Sequence, residues 1–356
     1  MSNTARNRYS DLEIHGLEMS AHHPSGEIPV LHDITLNIPS AQVTAIVGES
    51  GSGKTMSMRG ISGLLPGGGN FTVRGDVLYN GRHLAPGTNG ADSETSPKFA
   101  MIFQDPKKVL NPGLRVGQHL TEVLRYASGF TGRDSRLQRI ERAQEILGRV
   151  DLPTDRRFFR SFPHELSGGM QQRLVIACVV AGENDVLIAD EAITALDSRT
   201  AARILDLFHD IAGNMGKTVV YISHDLKTVE RIASHVAVLY AGYTVEYRNS
   251  RDFFSMPRHP YSRMLMESHP ALRDRGRPLR IIPGEAVSPA DPPPGCPFHP
   301  RCPRAQQTCR EVLPQLIPDT GGAVRCHFPY PEKGNGEKDS TRKNSGAPGA
   351  GEQFNE

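Results

Sequence analysis

The sequence predicts an α/β fold: a mostly parallel sheet with helices on both faces, an inserted helical lobe, and a small irregular cysteine-bearing extension towards the C-terminal end. Three observations carry this reading. From Leu12 to about Tyr247, short apolar runs alternate with longer amphipathic segments. The glycine-rich octet GESGSGKT (48–55) stands between one such run and a helical segment. Four of the five cysteines, Cys296, Cys302, Cys309 and Cys326, crowd into a Pro-rich stretch with little periodicity.

The strands come first. QVTAIVG (42–48), KFAMIF (98–103), DVLIAD (185–190) and TVVYIS (218–223) are rich in Val, Ile and Phe. Near-continuous apolar runs of this length suit strands buried on both faces. GKTMSMRGISGLL, SGGMQQRLVIACVVA and SRTAARILDLFHDIAG read as helices. Strands alternating with helices give a parallel sheet covered on both sides. The segment from GQHLTEVLRYASG to RIERAQEILGRV lies between two strands and reads as a helical lobe, spanning about 105–165. The organisation is then a tail at 1–11, an α/β domain at 12–250, an extension at 251–330 that opens on a helical linker, and a polar, Gly-rich tail at 331–356. The last should be disordered. LAPGTNGADSETSP (84–97) reads as a surface insertion.

Composition narrows the function. The 41 basic and 39 acidic side chains leave a net charge of +2, which offers no electrostatic reason to expect nucleic-acid binding. The longest apolar stretch, around Leu174 to Ala181, is far short of the roughly 20 residues that cross a bilayer. The N-terminal sequence carries no apolar signal core. The chain reads as globular and soluble, so work at a membrane would require other subunits to hold it there.

GESGSGKT fits G-x-x-x-x-G-K-[ST] in the context that motif requires, after a strand and opening a helix. Gly48, Glu49, Ser50, Gly51, Ser52 and Gly53 would wrap phosphates with their backbone N–H groups. Lys54 adds a charge at the β- and γ-phosphates, and Thr55 offers a hydroxyl to Mg²⁺. VLIADE (186–191) buries a strand and ends in two carboxylates. Asp190 can hold the metal through water, and Glu191 can polarise the attacking water. ATP and Mg²⁺ are therefore the expected ligands.

LSGGMQQR (166–173) resembles the signature sequence of ABC ATPases. That resemblance implies a phosphate-loop ABC ATPase core in which Ser167, Gly168, Gly169 and Gln171 reach nucleotide held by an opposite subunit. It also implies that Gln104 in MIFQDP is a metal and water ligand. Asp197 in ALD belongs to the loop at the nucleotide interface, and His224 in YISHDL contacts the γ-phosphate and orients Glu191. Two lobes would close head to tail on two ATPs, making each site composite.

GESGSGKT, MIFQDPKKVLNP, FPHELSGGMQQR, FFSMPRHPYSRMLMESHP and IPGEAVSPADPPPGCPFHPRCPRAQQTC together resemble the ATPases of oligopeptide and dipeptide permeases, a group that includes nickel and metal-chelate importers. The resemblance implies a second, paralogous ATPase subunit, two membrane permease subunits and an extracytoplasmic substrate-binding protein. It places the chain peripherally on the cytoplasmic side of the cell membrane. A soluble ABC ATPase of translation or repair would carry tandem lobes or a coiled coil, and an exporter motor would lack the extension. The sequence departs from the group at DEAITALD (190–197), where DEPTTALD is usual, and at KKVLNP, where Lys107 and Lys108 are candidates to alter the permease contact. The aromatic that usually stacks on adenine is not evident; His22 and His23 are candidates.

The cysteines are spaced C-x₅-C, C-x₆-C and C-x₁₆-C in a segment that needs a staple. A clustered set in a cytosolic chain suggests a metal, and the absence of a C-x₂-C pair argues against zinc. Similar extensions in the permease group carry iron–sulfur clusters, so the resemblance implies [4Fe–4S]; structural zinc and unligated thiols remain open alternatives.

Overall fold

The computed structural model describes residues 11–66, 70–87, 97–126, 136–269 and 281–331. The two expected tails, and most of the 84–97 insertion, lie outside the described residues.

Two long strands open the chain, β1 (Leu12–His23) and β2 (Gly26–Ile38). Then come β3 (Val43–Val47), α1 (Lys54–Ser62), β4 (Phe71–Tyr79), β5 (Arg82–Leu84) and β6 (Phe99–Ile102). The helical lobe follows as α2 (Val116–Tyr126), α3 (Arg136–Arg149) and α4 (Arg156–Arg160). The chain returns through α5 (Gly168–Ala181), β7 (Val186–Asp190), α6 (Ser198–Gly213), β8 (Thr218–Ile222), α7 (Leu226–Ile232), β9 (His235–Tyr240) and β10 (Tyr243–Asn249). The last segment carries α8 (Ser250–Ser255), α9 (Pro260–Ser268), α10 (Gln307–Glu311) and a hairpin of β11 (Ile317–Asp319) and β12 (Gly322–Val324).

The strands run in the order β5-β4-β1-β2-β10-β9-β3-β8-β7-β6. From β9 to β6 every pairing is parallel. The other half is antiparallel through β1–β2, β1–β4, β4–β5 and β10–β9, with β2 meeting β10 in parallel at Asp33 and Tyr243. The sheet is therefore mixed, where the sequence predicts a mostly parallel one. The difference lies in β1. Gly16 takes φ +59°, and the β1–β2 register shifts between Ile14 and Leu17 and again by Met19. Each bulge slips the period-2 alternation by which a half-buried strand is recognised.

The parallel half follows from burial. All five residues of β3, of β7 and of β8 are buried. Helix α6 places Ile204, Leu205, Phe208 and Ile211 on one face, each at most 2% exposed. Each such side chain contributes about 1.5–3 kcal/mol relative to exposure. Asp197 caps this helix, accepting from the N–H groups of Arg199 and Thr200 at 3.1 Å.

The extension has no separate core. Phe298 is fully buried and packs edge-on against Tyr240 and tilted against Tyr261, with centroid distances of 5.2 Å to both. Strand β12 pairs with β10, Glu246 opposite Val324. Beneath this junction Glu246 is fully buried and accepts from the backbone N–H groups of Arg258 (2.8 Å) and His259 (2.9 Å). Burial pushes the His259 imidazole down to about 3, so the ring is neutral and its Nδ1 accepts from the Tyr261 N–H at 3.0 Å.

Candidate functional site

The parallel strands end together on one rim. Ile46 pairs with Ile222, Ile222 with Asp190, and Ala189 with Ile102. The residues that follow β3, β6, β7 and β8 are the phosphate loop, Gln104, Asp190–Glu191 and His224, so register alone gathers them. Ligand sites in α/β sheets form at this carboxyl edge. A cavity of about 720 Å³ opens there, lined by the phosphate loop, Gln104, Asp190, Glu191 and His224.

The loop adopts a shape only glycine allows at two points. Gly48 takes φ +149°, and a Cβ there would lie 2.2 Å from the Leu239 carbonyl oxygen. Gly53 takes φ +101°, and its Cβ would meet Leu31 Cδ2 at 2.6 Å. Helix α1 starts on Gly53 with no side-chain cap and no acidic residue in its first turn. Its first amides are thus open to an anion, which the helix dipole favours. Lys54 Nζ folds back onto the carbonyls of Gly48 (2.9 Å) and Glu49 (2.7 Å). Burial lowers its pKa, against the opposing pull of Glu191, Asp190 and Glu49. Ser50 and Gly51 line the cavity, whereas Ser52 is turned under the loop at 3% exposure.

Thr55 Oγ1 donates to Asp190 at 3.1 and 3.0 Å. Asp190 is buried, and burial raises its pKa against the hydrogen bond from Thr55 and the charges of Arg59 and Lys54. A desolvated carboxylate beside a hydroxyl suits a hard divalent cation, so this pair fits Mg²⁺. Glu191 sits just past the strand end with φ +48°, a left-handed geometry that costs a non-glycine residue about 1–2 kcal/mol. Its N–H is tied to the Ile222 carbonyl at 3.0 Å. Its carboxylate accepts from Gln104 Nε2 at 2.8 Å and meets His224 Nδ1 at 2.9 Å. One carboxylate held between an amide and an imidazole can orient a water and take its proton.

The signature segment lies apart from this cavity. Ser167 caps α5, accepting from the Met170 N–H at 3.3 Å, with Gly168 exposed and Gly169 half-buried beside it. Gln171 is buried, its amide donating to Pro163 O (2.7 Å) and Leu166 O (3.4 Å). Asp197 sits at the start of α6 as its cap. In a single chain none of these five lines the cavity with Lys54.

His22 and His23 do not reach the cavity either. They engage Thr72 (2.8 Å) and Ser25 (2.7 Å). The far wall is formed by Ile28, Pro29 and Val30 of β2, with Leu265 and Ser288–Ala290 from the extension. The Pro289 carbonyl is fixed by His32 Nε2 at 2.6 Å. No local signal in the sequence points to this wall, because its two sides are more than two hundred residues apart. A somewhat larger hollow of about 830 Å³ on the helical lobe is lined by Arg115, Arg125, Arg139 and Arg156; no phosphate loop or carboxylate pair converges there.

The four clustered cysteines line one cavity of about 10 Å³ with His299 and His327, room for about one water. Burial raises the thiols of Cys296, to about 12, and of Cys302 and Cys326, the last to about 11. Among the described residues no three His, Cys, Asp or Glu side chains stand close enough to hold a metal ion. The four thiols thus share one cavity without standing as a formed metal site, where the sequence leads one to expect a metal centre.

A phosphate loop, a Thr–Asp cation site and a buttressed glutamate on a parallel sheet rim define a phosphate-loop ATPase. The ABC transporter family model matches residues 31–194, and the model of the oligopeptide/dipeptide transporter C-terminal region matches residues 245–309. The oligopeptide transport ATP-binding protein OppD of Salmonella typhimurium is 36% identical over 90% of this chain and 94% of its own length. AppD of Bacillus subtilis, also an oligopeptide transport ATP-binding protein, is 35% identical over 91% and 98%. An ATP-binding cassette solved as a dimer in a post-hydrolysis state with ADP and Pi superposes with a TM-score of 0.57 at 27% identity, covering 67% of this chain and 99% of that one. The chain belongs to the ABC transporter family as an ATP-hydrolysing subunit with the oligopeptide-type C-terminal region.

Proposed function

We propose that this chain powers an importer of peptides. The observation that carries the reading is the extension of the oligopeptide/dipeptide type joined to a converged ATPase site. Relatives over nearly the full length are oligopeptide transport proteins, which favours peptides over nickel. In this reading Lys54 and the phosphate-loop amides hold ATP, and Thr55, Asp190 and Gln104 would hold Mg²⁺, which supplies charge neutralisation when bound. Glu191 takes the proton from water, oriented by His224. Ser167, Gly168 and Gly169 face the nucleotide of a second ATPase subunit, with Gln171 bracing their loop and Asp197 setting the facing helix.

Among the described residues no helix is long and apolar enough to cross a membrane. The reading therefore includes two permease subunits that hold the chain on the cytoplasmic face, and a substrate-binding protein outside. Deleting this chain should abolish uptake of a labelled oligopeptide and leave nickel uptake unchanged. Pull-down of the tagged chain should recover two polytopic proteins. Normal peptide uptake in the deletion strain would reject the peptide reading.

The gathered thiols support a second element, a [4Fe–4S] centre on Cys296, Cys302, Cys309 and Cys326. Ligation would require the thiols to close in and ionise, releasing protons as the metal binds. Anaerobically purified protein should carry about four irons and four sulfides per chain and absorb visible light, and both should vanish when the four cysteines become serine. Colourless protein with neither iron nor zinc, and unaffected by those substitutions, would end this reading.

A further inference from the structure

Glu49 is the second residue of the phosphate loop, and its carboxylate is not free. Arg301 grips both oxygens, Nη1 to Oε2 at 2.6 Å and Nη2 to Oε1 at 2.9 Å. The Arg301 side chain is only 5% exposed. Its Nε donates to the Pro283 carbonyl (2.8 Å), and Nη1 also reaches the Tyr240 hydroxyl (3.3 Å). Every one of these contacts fixes the guanidinium in one plane, the geometry in which arginine binds a carboxylate most strongly. The Glu49 backbone is held as well, its N–H donating to the Tyr261 hydroxyl at 2.8 Å. Arg301 ends a 3₁₀ turn, His299–Arg301, and Tyr261 belongs to α9. The C-terminal extension therefore holds one residue of the phosphate loop at both its side chain and its backbone.

The electrostatic consequence is specific. The loop must accept a polyphosphate, and Glu49 is close enough to Lys54 to act on that ammonium. An unpaired carboxylate there, lining the same cavity, would repel the incoming phosphates. We propose that Arg301 is a positioning residue of the ATP site: it neutralises and fixes Glu49 so that the phosphate loop can accept ATP. The role rests on the ATPase assignment alone and is independent of cargo and of any metal at the cysteines.

The test is equilibrium titration of the full chain with a fluorescent ATP analogue, competed with Mg-ATP, with thermal melting as the check on folding. Arg301→Gln should weaken ATP binding about tenfold. Arg301→Lys, which keeps the charge but loses the bidentate grip, should show a smaller loss of about threefold. The deciding variant is Arg301→Gln combined with Glu49→Gln. Removing the stranded carboxylate should recover most of the lost affinity, whereas a purely structural arginine would leave the double variant no better than the single one. Wild-type affinity in folded Arg301→Gln, or a folded double variant as weak as the single, overturns the proposal. If Arg301→Gln alone does not fold, the double variant decides: a folded, ATP-binding double upholds the proposal, and a double that does not bind ATP overturns it.

Discussion

Glu191→Gln is expected to lower ATP turnover by ~10²–10⁴-fold in the assembled transporter while leaving ATP binding in place. The substitution keeps the shape; the new amide oxygen can still accept from Gln104 Nε2, while its NH₂ can donate to an unprotonated His224 Nδ1. It removes only the group that takes the proton from water. The backbone at Glu191 is left-handed and pinned to Ile222, so the glutamine amide should occupy the same place. Protein with bound ATP and almost no phosphate release should accumulate as a closed dimer, read by gel filtration with Mg-ATP. Near-normal phosphate release would remove Glu191 from the role of base.

Lys54→Ala should instead abolish measurable ATP binding, a loss on the order of 100-fold or more, equivalent to about 3 kcal/mol. The ammonium is buried, and its present partners are only two carbonyls of the loop itself. Exchanging those for phosphate oxygens gains charge-assisted bonds in a site already desolvated. Titration with labelled ATP separates the two variants: the glutamine variant binds without turnover, and the alanine variant does neither. Full binding by Lys54→Ala would show that the loop amides alone hold the phosphates.

Much of this site is legible in the sequence because each part has a local signature. DVLIAD and TVVYIS are apolar on both faces, and Asp190, Glu191 and His224, which line the cavity, stand at or just beyond their ends. Parallel pairing then aligns those ends without further information. Helix α6 appears over Ser198–Gly213, as SRTAARILDLFHDIAG leads one to expect. What the sequence hides is non-local or irregular. The bulges in β1 break the alternation that marks a half-buried strand, so the antiparallel half of the sheet does not announce itself. The cavity wall made by Ile28–Val30 and Ser288–Ala290 has no periodicity to read. The Glu49–Arg301 pair joins positions 252 residues apart; the loop motif marks Glu49 for its backbone only, and Arg301 taken alone looks like an ordinary surface charge. The Pro-rich segment, read in the sequence as needing a staple, buries Phe298, Cys296 and Cys309 in the core of the α/β domain.

The pairing of β12 with β10 has a consequence for the order of events during synthesis. Arg325, beside that strand, binds Asp33 Oδ2 at 2.6 Å across 292 positions, and its Nε donates to the Thr244 carbonyl at 2.9 Å. Strand β2 leaves the ribosome well before Arg325, which follows the hairpin. At ~5–20 residues per second, the phosphate loop waits on the order of ten seconds or more for the segment that fastens it. During that interval the nascent chain has its glycine-rich loop but lacks Arg301, which holds Glu49, and Arg325, which holds Asp33. Until the extension has been made, Glu49 stands without the guanidinium that grips both its oxygens.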